Sequence, residues 1–397
     1  MSTSKEFNDQ ESAQNANGLC LLQFESLCYF YLTKHLIHLF QQKECLPRYG
    51  CDPGRNTYIA MGHQLDLAVY VYESIKHLSL IAPDEANGFK NLPQYSDLEV
   101  VRNNIHTFFK QGGFVKKATS ITDDALAEYK MLVPDELYAL RSDISLVFEI
   151  IGNTRLLSGS DSFIKHCIFE TKRTWKGQDY KDFAEFLSAS VKAIASTVDE
   201  TPYRLGQLHF PEDTPEIELF DYKSPDLYAG SGLSLASAFR LMLMLDQISY
   251  GVMLKEKLIH GKCLQDDLWM CFFAKLLAIK YDETFDNLDS ILRFANEVDR
   301  ARIEQHLTEI GLDIHNLKAR EFARKLRNTI HYQEIVFDNT LLHGNTSRDY
   351  IVALYLSNAG VSDMVQFSEI CSEMLEECRM IQTMIRKIMA VDKEYFI

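Results

Sequence analysis

The sequence predicts an all-α protein built from helical bundle lobes. Proline is scarce, with 9 residues in a chain of 397, and glycine is modest at 18, which favours long helices joined by short loops. Apolar residues make up 46% of the chain and recur every three to four residues over long segments, as on the buried face of a helix. A chain of this length and composition can bury at least one large core.

The first part of the chain is predicted to form a polar tail and then an N-terminal helical domain over 19–200. Residues 1–18 contain no apolar run, so we expect a disordered tail and not a signal peptide. A helical region is expected from Thr122 towards Leu157. The other helices, each with apolar residues at helical spacing, are predicted over 19–42, 58–80, 97–110, 163–176 and 180–198.

Segment 201–232 is richer in proline than the rest of the chain and is predicted to connect two domains. It holds four of the nine prolines, Pro202, Pro211, Pro215 and Pro225, and a short apolar run at 217–222 that suits an extended segment. Helical periodicity returns in a C-terminal domain over 233–397. Its helices are predicted over 233–258, 264–280, 285–307, 316–331 and 362–389, while 334–355 fits either a strand or a helix.

Charge and cysteine content limit the classes of function. A formal net charge of -15 argues against broad coating of nucleic acid, so any contact with RNA must be local. Nine cysteines without secretory context indicate a reducing compartment. The most apolar segments, 233–245 and 269–279, are too short to cross a bilayer. We therefore expect a cytoplasmic protein without membrane contact.

Basic residues concentrate in Lys318–Tyr332, which is unusual in so acidic a chain. At about 100° per residue, Arg327 and His331 would lie roughly 40° apart on one helix face, and Arg324 within about 20° of His331. Asn328 flanks the same face. The segment contains a single acidic residue, Glu321, among its five basic ones, which are Lys318, Arg320, Arg324, Lys325 and Arg327.

This combination of side chains suits chemistry on a phosphodiester. A histidine exchanges protons near neutral pH, a guanidinium stabilises charge that grows on a phosphate, and an amide orients either group. Such a set cleaves RNA without a metal when the 2′-hydroxyl supplies the nucleophile. The alternative is a purely structural helix, with solvated arginines and a histidine that caps or packs.

The run Arg327-Asn328-Thr329-Ile330-His331-Tyr332, late in a helical bundle, resembles the signature of HEPN domains. That resemblance covers about 233–389 and implies a dimerising helical bundle that often acts as a metal-independent endoribonuclease in bacterial defence, toxin or RNA-processing systems. It implies His331 as the catalytic histidine, Asn328 as the polar residue, and Arg327 or Arg324 as the catalytic arginine. Three residues separate Arg327 from His331, which is short for the family. Six residues separate Arg324 from His331, and with Arg324 as the arginine Lys325 occupies the position of the family's polar residue.

A second copy of the pattern occurs in the N-terminal domain. Arg102, Asn103 and His106 repeat Arg-Asn-x-Ile-His at the same spacing, although Glu99 stands where the first copy has Arg324. HEPN nucleases bring two motifs together across a dimer, so the resemblance implies a homodimer or a pseudo-dimer within one chain. The N-terminal domain would then be a degenerate HEPN-like lobe. Coincidence or a structural role is the alternative.

No metal or cofactor is expected. His35 and His38 share a helix face near Cys45 and Cys51, but the spacing is not that of a zinc finger or ribbon. Nucleotide-binding glycine loops and hydrolase motifs are missing from the sequence. The predicted function is therefore an RNA-directed HEPN-like protein, a possible endoribonuclease in prokaryotic defence or stress response. The alternative is a non-catalytic HEPN-like module that binds a partner protein or a nucleotide.

Overall fold

The computed structural model describes residues 3–41, 58–109, 146–151, 154–158, 175–197, 217–222, 266–344 and 346–388, with scattered positions between 232 and 252. The predicted all-α class is confirmed, because helices hold most of these residues. They are α1 (Thr3–Gln41), α2 (Tyr58–Ile81), α3 (Pro83–Lys90), α4 (Gln94–Phe109), α5 (Gly177–Thr197), α6 (Asp267–Phe294), α7 (Glu297–Ile310), α8 (Arg320–Asn328), α9 (Ser347–Ala359) and α10 (Met364–Ile388). The described positions within 237–252 are also helical.

The N-terminal segment differs from its prediction. Helix α1 begins at Thr3, so residues predicted as a disordered tail continue the first helix. Asn17 and Gly18 are buried, and the hydroxyl of Tyr350 donates a hydrogen bond to the Asn17 side chain. The reason is tertiary packing, because polar side chains with buried partners do not need an apolar run to be ordered.

One small antiparallel sheet replaces part of a predicted helix. Strand β1 (Leu146–Ile151) pairs with β2 (Thr154–Ser158) on one side and with β3 (Ile217–Tyr222) on the other. The helical region expected towards Leu157 is therefore wrong over these residues, whereas the extended segment predicted at 217–222 is present. The sequence holds the signal, since two apolar runs separated by Gly152-Asn153 are typical of a hairpin.

Helix α6 lies at the centre of the core. Twenty of its 28 residues are buried, which is possible only for a helix surrounded on all sides. It packs against α8, α9 and α10 of the predicted C-terminal domain and against α1 and α4 of the N-terminal one. Among the described residues one hydrophobic cluster therefore extends through both halves. The boundary at 201–232 stays a prediction, because most of that segment lies outside the described residues.

Two well-defined helix ends flank the segment that carries the predicted C-terminal motif. Helix α7 ends at Gly311 with a positive φ of 72°, a conformation that favours glycine. Helix α9 makes the last part of the ambiguous segment 334–355 helical, while residues 335–338 are neither strand nor helix; it begins with a capping box between Thr346 and Asp349. Between α8 and α9 lie two short 3-10 turns, Tyr332–Glu334 and Asn339–Leu341, and the first of them packs against α1.

Candidate functional site around Glu73

Arg327 and His331 do not share a helix face. Helix α8 ends at Asn328, and the hydroxyl of Thr329 donates to the carbonyl of Leu326 at 2.7 Å, which closes its last turn. His331 lies beyond this end, just before the 3-10 turn. The angles predicted from helical spacing, including that of Arg324, are therefore wrong. From Thr329 to His331 each backbone amide donates to the carbonyl three residues back, so the α-helical bonding pattern stops at Asn328.

Carboxylates neutralise the basic segment. Arg327 donates to Asp282 at 2.6 Å, and its other terminal nitrogen lies 3.3 Å from the side-chain oxygen of the exposed Asn328. Arg324 is exposed and pairs with Glu321 at 2.6 Å. The remaining pairs follow the same pattern and are Lys318 with Glu373, Arg320 with Asp286, and Lys325 with Glu321. Most of these acids lie on other helices, so the sequence segment alone overstates the local positive charge.

The two motifs meet at one carboxylate, that of Glu73 on α2. Nδ1 of His331 lies 3.4 Å from Oε2 of Glu73, and Arg102 donates to Oε1 at 2.8 Å. The Glu73 side chain is 2% exposed, whereas His331 is 27% exposed. Lys76 adds a weaker contact, 3.8 Å from Oε2. A buried acid thus joins a residue of the N-terminal motif to a residue of the C-terminal motif.

Glu73 stays ionised throughout the neutral range. Burial raises the pKa of its carboxyl, but hydrogen bonds from His331 and Arg102 and their positive charge outweigh burial and lower the pKa to about 2. The guanidinium of Arg102 also lies 5.6 Å from the centre of the Tyr72 ring, which adds a cation–π contact. The carboxylate is therefore a fixed hydrogen-bond acceptor at the edge of the core.

The structure describes Arg102 and Asn103 of the N-terminal motif but not the side chain of its histidine. Arg102 is 14% exposed and reaches Glu73, and Asn103 is exposed on the same helix, α4. The side chain of His106 lies outside the described residues, so its distance from His331 stays untested. What the structure does bring together is Arg102 and His331, through Glu73.

A small cavity extends from Glu73 into the core. It has room for one or two water molecules and lies between α1, α2 and α6. Burial raises the pKa of Glu283 to about 7, and repulsion from Asp66 and Asp282 adds to that effect against the attraction of Lys280 and Arg327. The charged side chains along the cavity are Glu25, Asp66, Glu73, Lys275, Lys280 and Glu283. Buried titratable groups at this density are typical of functional sites.

Glu25, on α1, forms a second buried centre beside the first. Lys275 donates to both of its carboxylate oxygens at 2.6 and 2.7 Å, and the hydroxyls of Tyr332 and Tyr355 donate at 2.6 and 2.7 Å. Lys275 also donates to the carbonyl of Thr329 at 3.3 Å. This network fixes the residues on both sides of His331 to the core.

The described ranges hold neither a side-chain cluster suited to a metal ion nor a helix suited to a bilayer. No three or more His, Cys, Asp or Glu side chains are grouped there so as to hold a metal ion. The side chains of His35 and His38, and all of Cys45 and Cys51, lie outside those ranges. None of the described helices combines the length and apolar character that crossing a bilayer requires.

No protein-family model matches this chain, and neither a curated protein nor a solved structure is significantly similar to it.

Sequence reasoning missed Glu73 and Asp282, the two acids that hold the motif residues. Both belong to helices far from the motif in sequence. A signal was present for Glu73, because Asp66 and Glu73 are seven residues apart, and so on one face of a helix whose residues are mostly apolar. Acidic residues repeated at that spacing on a core face indicate buried partners.

Proposed function

We propose that this protein is a metal-independent endoribonuclease with a composite site made from both motifs. The observation that carries the proposal is the convergence of Arg102 and His331 on the two oxygens of Glu73. Paired motifs in one cleft are what the resemblance to HEPN nucleases implies. The pairing within one chain would be a pseudo-dimer, and a homodimer is the alternative arrangement. We place the activity in the cytoplasm of a prokaryote, in defence or stress response.

In the proposed reaction His331 takes the proton from a ribose 2′-hydroxyl. The 2′-oxygen attacks the adjacent phosphorus, the bond from phosphorus to the 5′-oxygen breaks, and that oxygen leaves with a proton from the solvent or from the imidazolium. The products are a 2′,3′-cyclic phosphate and a 5′-hydroxyl. Arg327 or Arg324 stabilises the charge on the phosphate, and Asn328, which is exposed beside Arg327, positions it.

Cleavage of single-stranded RNA and tRNA in EDTA tests this proposal. We expect the wild-type protein to cut, and we expect His331→Ala and Arg327→Ala to lose about 10²- to 10⁴-fold in rate, as when a general base or charge-stabilising group is removed. His315→Ala is the matched control, because His315 is exposed and makes no contact with the site. Absence of cleavage by wild type, or equal cutting by His331→Ala, rejects the proposal.

A second candidate is a non-catalytic module that binds a partner protein or a nucleotide. The observation in its favour is that Arg102 and Arg327 already pair with Glu73 and Asp282 and are 14% and 18% exposed. A phosphate would have to displace a buried carboxylate from each. This candidate predicts that the wild-type protein cleaves no RNA but binds a fluorescent nucleotide or a partner protein.

A further inference from the structure

Glu73 constrains which nitrogen of His331 carries hydrogen. A carboxylate with a pKa of about 2 accepts hydrogen bonds and cannot donate them at neutral pH. Nδ1 of His331 is the ring atom that lies 3.4 Å from its Oε2. For that contact to be a hydrogen bond, Nδ1 must bear the hydrogen. In a neutral imidazole this leaves the lone pair on Nε2.

Arg102 orients the carboxylate of Glu73, and that carboxylate in turn orients the ring of His331. It holds Oε1 at 2.8 Å, so the carboxylate plane cannot rotate freely, and Oε2 stays turned towards His331. The backbone on the other side is held as well, since Tyr332 donates its hydroxyl to the buried Glu25. His331 therefore has one ring edge tied to the core and a side chain that is 27% exposed.

We propose that Glu73 is a positioning residue, which holds His331 in the Nδ1–H form so that Nε2 is the nitrogen that takes the substrate proton. Arg102 acts through Glu73 in this arrangement. The role of Nε2 in the reaction rests on the proposed function, whereas the state of the ring does not.

Nitrogen-15 NMR of the histidine rings tests the state of the ring directly. Protein labelled at histidine nitrogens is measured under alkaline conditions, where imidazole rings are neutral, and the His331 signal is assigned by its loss in His331→Gln. We expect a pyrrole-type shift at Nδ1 and a pyridine-type shift at Nε2. An unrestrained side chain in water prefers the opposite form, so Glu73→Ala should move the signals towards it. Lys90→Gln, at an exposed position of α3 away from Glu73, should leave them unchanged.

The wild-type spectrum decides the question even if Glu73→Ala fails to fold. A wild-type His331 with hydrogen on Nε2 overturns the inference. If wild type has the Nδ1–H form and cleaves RNA, Glu73→Gln should lower kcat by about 10²- to 10⁴-fold with little change in KM, because the base and not substrate binding is affected. An unchanged kcat overturns the positioning role.

The two proposals fail in different ways. If His331 has the Nδ1–H form but no RNA is cleaved, the proposed function fails and the assignment of the ring stands. If RNA is cleaved and the hydrogen lies on Nε2 of His331, the positioning role of Glu73 is rejected and the proposed function stands.

Discussion

Two adjacent residues, His331 and Tyr332, are bound to two different buried carboxylates, and the two carboxylates have opposite surroundings. Glu25 is 1% exposed, and its partners Lys275, Tyr332 and Tyr355 are all buried. Glu73 is equally buried, but its partners reach the surface, with His331 27% exposed. The Glu25 network is therefore wholly buried, whereas the Glu73 network extends from the core to the solvent.

This difference separates a structural role from a functional one. A carboxylate whose partners are all buried can act only on the fold, and removing it leaves an uncompensated buried cation. A buried carboxylate that orients a partly exposed histidine can affect a reaction at the surface. Variants of the two acids should therefore have different effects. Glu25 variants should lose stability. Glu73 variants should lose activity and also the part of the stability that the ionised carboxylate contributes near neutral pH.

The largest effect on stability is expected for Glu25→Gln. It removes the charge that compensates Lys275 in the core, which typically lowers the free energy of unfolding by about 3–5 kcal/mol. Tyr355→Phe removes one hydrogen bond to the same carboxylate and should cost about 1.5–3 kcal/mol. Urea denaturation measures both. A loss below 1 kcal/mol in Glu25→Gln would show that the network contributes little.

Glu73 should stabilise the fold only above the acid range. Its pKa is about 2 in the folded protein against an ordinary value of 4.5, so the unfolded chain binds the proton first as pH falls. The contribution, about 3 kcal/mol, is complete above about pH 5 and is lost as pH falls from about 4.5 to about 2. The difference in unfolding free energy between wild type and Glu73→Gln, measured at pH 3, 5 and 7, should shrink towards acid. A difference independent of pH contradicts this.

Close backbone contact between α1 and the motif should make Gly18 intolerant of a side chain. A Cβ added there would overlap the carbonyl oxygen of Tyr332, so Gly18→Ala should lower the free energy of unfolding by about 1–3 kcal/mol. Gly88→Ala is the matched control, because its Cβ would meet nothing within 4 Å and alanine favours a helix by about 0.5–1 kcal/mol. Equal stability changes at both positions would argue against the contact of α1 with Tyr332.

Glu283 should give the smallest effect, with the opposite dependence on pH. Its folded pKa of about 7 exceeds the ordinary 4.5, so the folded protein binds the proton more tightly and loses stability as pH rises from about 4.5 to 7. Glu283→Gln should therefore be more stable than wild type by about 1–2 kcal/mol at pH 8 and equal to it at pH 4. Thermal denaturation at both values checks this, with Glu369→Gln, at an exposed glutamate of α10, as the control.

Most helices were predictable because their apolar spacing is local, although 264–280 and 285–307 were predicted as two helices where α6 continues unbroken from Asp267 to Phe294. Arg327 and His331 were chosen as candidates from the same kind of local pattern. Their partners were not predictable in that way. Asp282, which neutralises Arg327, looks in sequence like any acid of an amphipathic helix, and only packing of α6 against α8 brings it to the arginine. Helix α8 ends at Asn328 through a local change to backbone hydrogen bonds between residues three apart, which helical periodicity does not register.

The proposed function requires that Arg102 and His331 belong to one site joined by Glu73. The decisive measurement is the rate of RNA cleavage in EDTA for Arg102→Ala, His331→Ala and the double variant, with Arg348→Ala as an exposed arginine control. If Glu73 joins the two residues in one site, each single variant loses most of the activity and the double variant is no slower than the worse of the two. Cleavage by Arg102→Ala at the wild-type rate would show that the two residues do not share a site.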